Sequence, residues 1–75
     1  MYVKENSNGP WPSCVGKPAE ECVKYIENIT NNELKFGSNV FIVPQDHMVT
    51  MDHVVDRVRI FVDDQNIVVR PPRRG

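Results

Sequence analysis

Apolar and polar residues are spaced in three different ways along this chain. Cys22, Tyr25, Ile26 and Ile29 fall at helical spacing and form one apolar stripe. Just upstream, Pro18-Ala19-Glu20-Glu21 predicts the helix start, because proline is tolerated in a first turn and acidic side chains there complement the positive end of the helix dipole. Ser38 to Val43 contains the run Val-Phe-Ile-Val and stops at Pro44, which predicts a strand. Val40 and Ile42 are expected to face the helix, and Phe41 and Val43 the base of the segment that follows. A second main strand is predicted from Val55 to Val62, where the period of two puts Arg57 and Arg59 on one face and Val58 and Ile60 on the other. Asp63 to Asn66 reads as a polar turn, and Ile67 to Arg70 as a short last strand.

Between the two main strands the pattern gives way to Pro44-Gln45-Asp46-His47-Met48-Val49-Thr50-Met51-Asp52-His53, a stretch without glycine and so with little access to left-handed backbone. Val49 and Thr50 are stiff and favour extended conformations, which presents Met51 as a projecting apolar side chain. The stretch reads as an exposed loop handed over to a strand that carries two cations beneath it. Residues 1–10 are polar and end in Gly9-Pro10, a loop marker, so a flexible N-terminal arm is expected there, with the folded domain spanning 11–75. Trp11 opens that domain and is expected to pack its ring on the core. Asn31 to Gly37 is read as a surface segment between helix and strand.

Composition narrows the possible functions. With 75 residues, the chain makes one domain that buries about 60% of its unfolded surface, with no room for a deep substrate cavity. A formal charge of −1 suggests neither nucleic acid nor an anionic membrane as partner. There is no apolar run long enough for a membrane span, and Met1 leads into polar residues rather than a signal peptide. Asp46, His47, Asp52 and His53 invite a metal or acid–base reading, but an extended loop spreads them apart, so no metal, cofactor or catalytic residue is expected. Asn28-Ile29-Thr30 matches a glycosylation sequon whose central residue belongs to the helix stripe. Cys14 and Cys22 suggest a disulfide under oxidising conditions, or else two small buried hydrophobes, and cannot close a zinc site by themselves.

Several of these pieces together resemble the potato inhibitor I family of serine protease inhibitors. They are Trp11-Pro12 with Val15-Gly16-Lys17, the acidic helix start Glu20-Glu21, the loop core Val49-Thr50-Met51-Asp52, the run Asp56-Arg57-Val58-Arg59-Ile60-Phe61-Val62, and the ending Pro71-Pro72-Arg73-Arg74-Gly75. Their order and spacing carry the resemblance. It implies an α+β fold in a single small domain, with one helix on a small mixed sheet, the two main strands paired in parallel, and the loop as the crossover. The family usually has a Ser or Thr cap where Pro18 stands, a difference worth about 1 kcal/mol of capping. The segment 31–37 is longer than the family's connection and is expected to be a tolerated surface insertion. Cucurbit members tie their N-terminal segment to the loop by a disulfide. This loop has no cysteine, so a bridge here would brace the scaffold only.

The resemblance also implies a function. The scissile bond falls between Met51 and Asp52, and His47, Met48, Val49, Thr50, Met51, Asp52 and His53 form the protease-binding loop. Thr50 and Asp52 would hydrogen-bond to Arg57 and Arg59, with the Gly75 carboxylate bracing the same arginines or pairing instead with Arg73 and Arg74. The expected partners are serine proteases of the chymotrypsin-like and subtilisin-like kinds, met by a secreted monomer. A non-inhibitory binding or storage protein that keeps the fold is the alternative.

Overall fold

The computed structural model describes residues 5–50, 52 and 54–75, so the expectations for Met51, His53 and residues 1–4 fall outside it. A 3-10 turn at Pro12–Cys14 is followed by helix α1 (Ala19–Ile29) and strands β1 (Val40–Pro44) and β2 (Val58–Val62). The two strands pair in parallel in the register Val40 to Val58, Ile42 to Ile60 and Pro44 to Val62. A parallel pair needs a long crossover, and the loop supplies it.

Helix α1 begins without a side-chain cap at Pro18. Its first free donor is satisfied from across the fold, where the Ala19 N–H donates to the Asn66 carbonyl at 3.0 Å. Asn66 also donates its side-chain amide to Glu20 Oε1 at 2.9 Å. The polar turn after β2 thus does the work of the missing Ser or Thr. Ala19, Cys22, Val23 and Ile26 are buried, whereas Tyr25 and Ile29 pack at the edge of the core. The buried face therefore lies slightly round from the stripe read in the sequence, with Val23 in place of Tyr25.

The helix ends in a Schellman arrangement. Asn31 is left-handed, with φ 54°; its N–H donates to the Asn28 carbonyl, and the Asn32 N–H donates to Glu27 at 2.7 Å. Asparagine tolerates this backbone because its short polar side chain lowers the usual steric cost. The chain is thereby turned back over the helix, and Leu34 is buried. The segment expected to be a surface insertion thus contributes a core residue. Its burial is supported by Thr30, whose hydroxyl donates to the Ile26 carbonyl at 2.7 Å and accepts from the Leu34 N–H.

Trp11, Ile26, Leu34 and Ile60 are the largest fully buried side chains, joined by Val40, Val58 and Val68. Val40 faces this core and Ile42 packs against it, while Phe41 remains 39% exposed. Cys14 and Cys22 form the disulfide, their Cα atoms 5.2 Å apart. It joins the 3-10 turn to the buried face of the helix. Two expected strands are shorter than predicted. Regular pairing in β2 begins only at Val58, and Ile67 and Val68 form single antiparallel bridges to Pro18 and Val62 instead of a strand.

The arm is anchored from Glu5 onward. The Glu5 carboxylate accepts hydrogen bonds from the Ser13 hydroxyl and the Tyr25 hydroxyl, both at 2.7 Å. The indole N–H of Trp11 donates to the Asn6 carbonyl at 2.9 Å. Burial acts to raise the pKa of Glu5, but the hydrogen bonds from Ser13 and Tyr25 outweigh it and hold the carboxyl below its usual range. The Glu5 carboxylate and the Trp11 indole give residues 5 and 6 specific attachment points that polarity alone does not signal.

Candidate functional site

Most described residues of the crossover from β1 to β2 are exposed. Met48 is 99% exposed, and Val54 and Val55 are 40% and 59% exposed. At its upstream base, the Gln45 N–H donates to Val62 at 2.8 Å and the His47 N–H to Pro44 at 3.0 Å. Few apolar contacts are available to fix such a segment, so its shape depends on polar ones.

Those come from β2. Arg59 donates from Nη1 to the Thr50 carbonyl at 3.0 Å and from Nη2 to Thr50 Oγ1 at 2.7 Å. Arg57 donates from Nη2 to the Asp52 carbonyl at 2.7 Å and from Nη1 to Asp52 Oδ2 at 3.1 Å. Each guanidinium therefore grips one residue at two points, and the two gripped residues stand on either side of position 51. The fixed fork of arginine suits this paired geometry, which the single ammonium of lysine could not reproduce. Arg57 keeps only 15% of its side chain exposed, against 55% for Asp52. The clamp is thus more enclosed than the residue it holds.

Hydrogen bonding from Thr50, and then from Arg57, holds the Asp52 carboxyl below the ordinary aspartate range. Beneath the loop lies an open cleft of about 860 Å³ lined by Val49, Thr50, Asp52, Arg59, Phe61 and Arg70, among others. Arg70 lies over the Phe61 ring at 3.9 Å from its centre, a cation–π contact.

Of the residues singled out in the sequence, Thr50, Asp52, Arg57 and Arg59 come together. His47 and Met48 sit on the exposed upstream limb, and Val49 is half-buried. Gly75 meets Arg57 differently from the expectation: its N–H donates to the Arg57 carbonyl at 2.8 Å. Among the described residues, its carboxylate makes no ion pair with either arginine. No group of three or more metal-ligating side chains occurs among the described residues. Sequence reading missed Asn39 and gave Arg74 no place in the loop's support; both contact the downstream limb. The adjacent arginines 73 and 74 were a visible signal, whereas Asn39 fell within the predicted strand Ser38 to Val43, where a lone polar side chain names no partner.

A model of the Potato inhibitor I family matches residues 4–75. Subtilisin inhibitor CLSI-I of Canavalia lineata is 38% identical over 65 residues, covering 87% of this chain and 91% of that protein. Subtilisin inhibitor 1 of Phaseolus angularis is 35% identical, covering 87% of this chain and 65% of its own length. Among solved structures, the bitter gourd trypsin inhibitor superposes with a TM-score of 0.77 at 29% identity, over 96% of this chain and 100% of that one. Cucurbita maxima trypsin inhibitor-V gives a TM-score of 0.64 at 34% identity, over 91% and 93%.

Proposed function

Because the chain belongs to the potato inhibitor I family, and is accordingly a serine protease inhibitor rather than an enzyme, we propose that it acts through the bond between Met51 and Asp52. The observation that carries this reading is the pair of two-point arginine grips on Thr50 and Asp52. A protease binds its substrate as an extended strand, with one side chain in a pocket and the adjoining carbonyl at the oxyanion hole. Thr50 and Asp52 are held immediately before and after the residue that would fill that pocket.

A loop already in its bound shape loses little entropy on docking. Exposed ion pairs contribute only about 0 to 1 kcal/mol each, but a covering protease removes water and strengthens them. After acylation, the new amine at Asp52 remains tethered to Arg57 beside the acyl bond. It can re-form the peptide bond before water attacks.

Methionine is long, unbranched and polarizable, which suits pockets that take large apolar side chains. The proposed targets are therefore subtilisin-like and chymotrypsin-like proteases; the names of the two sequence relatives support the subtilisin-like class. Trypsin, whose pocket favours a cation, is expected to be a poor target despite the names of the two structural neighbours. The protein is proposed to act as a monomer in an oxidising, extracellular setting, where its disulfide persists.

Titration of subtilisin, chymotrypsin and trypsin, with mass spectrometry of the recovered inhibitor, tests the proposal. Stoichiometric inhibition of the first two and a single cut between Met51 and Asp52 are expected. Rapid degradation, or a cut elsewhere, would overturn it.

A further inference from the structure

The two limbs of the loop are fixed unequally. Among the described residues, the upstream limb is tied at its base by main-chain bonds and above by Arg59. The downstream limb, residues 54–57, receives side chains from distant parts of the chain. Asn39 donates its amide to the Asp56 carbonyl at 3.0 Å and accepts from the Lys35 N–H at 3.3 Å. Arg74 donates to the Val55 carbonyl and to Asp56 Oδ1, both at 3.4 Å. The same guanidinium pairs with Glu33 and donates to the Ser7 carbonyl at 3.3 Å. Gly75 adds its N–H to the Arg57 carbonyl at 2.8 Å.

We infer that Asn39 and Arg74 are positioning residues for inhibition: with Glu33 they form a second brace that keeps the downstream limb in place when the loop is cut. This rests on the inhibitory reading above. In the acylation step, the protease serine oxygen bonds to the Met51 carbonyl carbon, the peptide bond breaks, and the amine of Asp52 leaves carrying the serine's proton. Religation is the reverse; hydrolysis instead consumes one water and leaves a Met51 carboxylate. The competition is decided by how often the amine occupies its original place. The amine is carried by the downstream limb, so anchoring that limb raises its effective concentration at the acyl carbon.

The brace also accounts for the longer segment between α1 and β1. Lys35 and Glu33 belong to it, and Leu34 between them is buried in the core. The segment is seated by Leu34 and reaches the loop through its two neighbours. Two routes, one through Asn39 and one through Arg74, converge on Asp56.

The test compares Asn39→Ala, Arg74→Ala and Glu33→Gln with the parent and with Val23→Ala, a core control that lowers stability without touching the loop. Each is incubated with equimolar subtilisin while mass spectrometry follows the cut chain and chemical denaturation gives the stability. The brace variants are expected to be hydrolysed about two- to tenfold faster than the parent, with Arg74→Lys intermediate. The core control is expected to keep the parent's rate once corrected for its unfolded fraction. Equal rates in brace variants and parent, or an acceleration that the control reproduces at matched stability, would overturn the inference while leaving the inhibitory reading intact. Degradation of the parent at the rate of an ordinary substrate would remove both.

Discussion

The scaffold and the loop of this protein are held by different forces. Around Trp11, Ile26 and Ile60 the chain excludes water from apolar side chains, with a disulfide on one flank. Between β1 and β2 the side chains of Met48, Val54 and Val55 are exposed, and shape is set by arginine forks on carbonyls, a hydroxyl and a carboxylate. Burial is strong but indifferent to direction, whereas charge-assisted hydrogen bonds fix direction for modest net energy. A small domain can therefore rely on its core for stability and on its loop for geometry, and the two should be separable by mutation.

The largest separation is expected at Trp11. Trp11→Ala should cost about 3 to 5 kcal/mol in chemical denaturation, while the fraction that stays folded keeps the inhibition constant of the parent. A weakened constant at low temperature, with the protein still folded, would mean the loop depends on the core more closely than the contacts indicate. Next comes the disulfide. Replacing Cys14 and Cys22 together with Ala should remove about 2 to 3 kcal/mol by loop-closure entropy and leave the rate of loop cleavage unchanged, since the bridge joins only scaffold elements.

The loop reverses the pattern. Arg57→Ala or Arg59→Ala should shift the denaturation midpoint only slightly, by about 0 to 1 kcal/mol, yet speed cleavage between Met51 and Asp52. The smallest effect is acid-dependent. The Asp52 pKa lies below its unfolded value, so its bonds stabilise the folded state in full above about pH 4 and are lost as pH falls through the lower folded value. A carboxyl-detected titration should show this depression in the parent. In Arg57→Ala the midpoint should move back toward the ordinary value.

Much of the scaffold was legible because burial leaves periodic traces. The helix stripe, the Val-Phe-Ile-Val strand and the alternation at Arg57, Val58, Arg59 and Ile60 each mark a face. Leu34 left no such trace, since a single apolar residue among polar neighbours shows its burial only once the left-handed turn at Asn31 is known. The grips on Thr50 and Asp52 were anticipated by the family resemblance; spacing alone put the arginines on one face without naming their partners. Glu5, Asn39 and Arg74 act across long stretches of sequence, where polar residues carry no period. Their partners emerge only from the folded chain.

The most direct measurement is the rate at which equimolar subtilisin cleaves the double variant Arg57→Ala/Arg59→Ala, relative to the parent, in a protein whose folding is verified by its melting curve. Cleavage about tenfold faster or more, with the fold intact, is the predicted result. Equal cleavage rates in two folded proteins would contradict the claim that the arginine grips make the loop resistant.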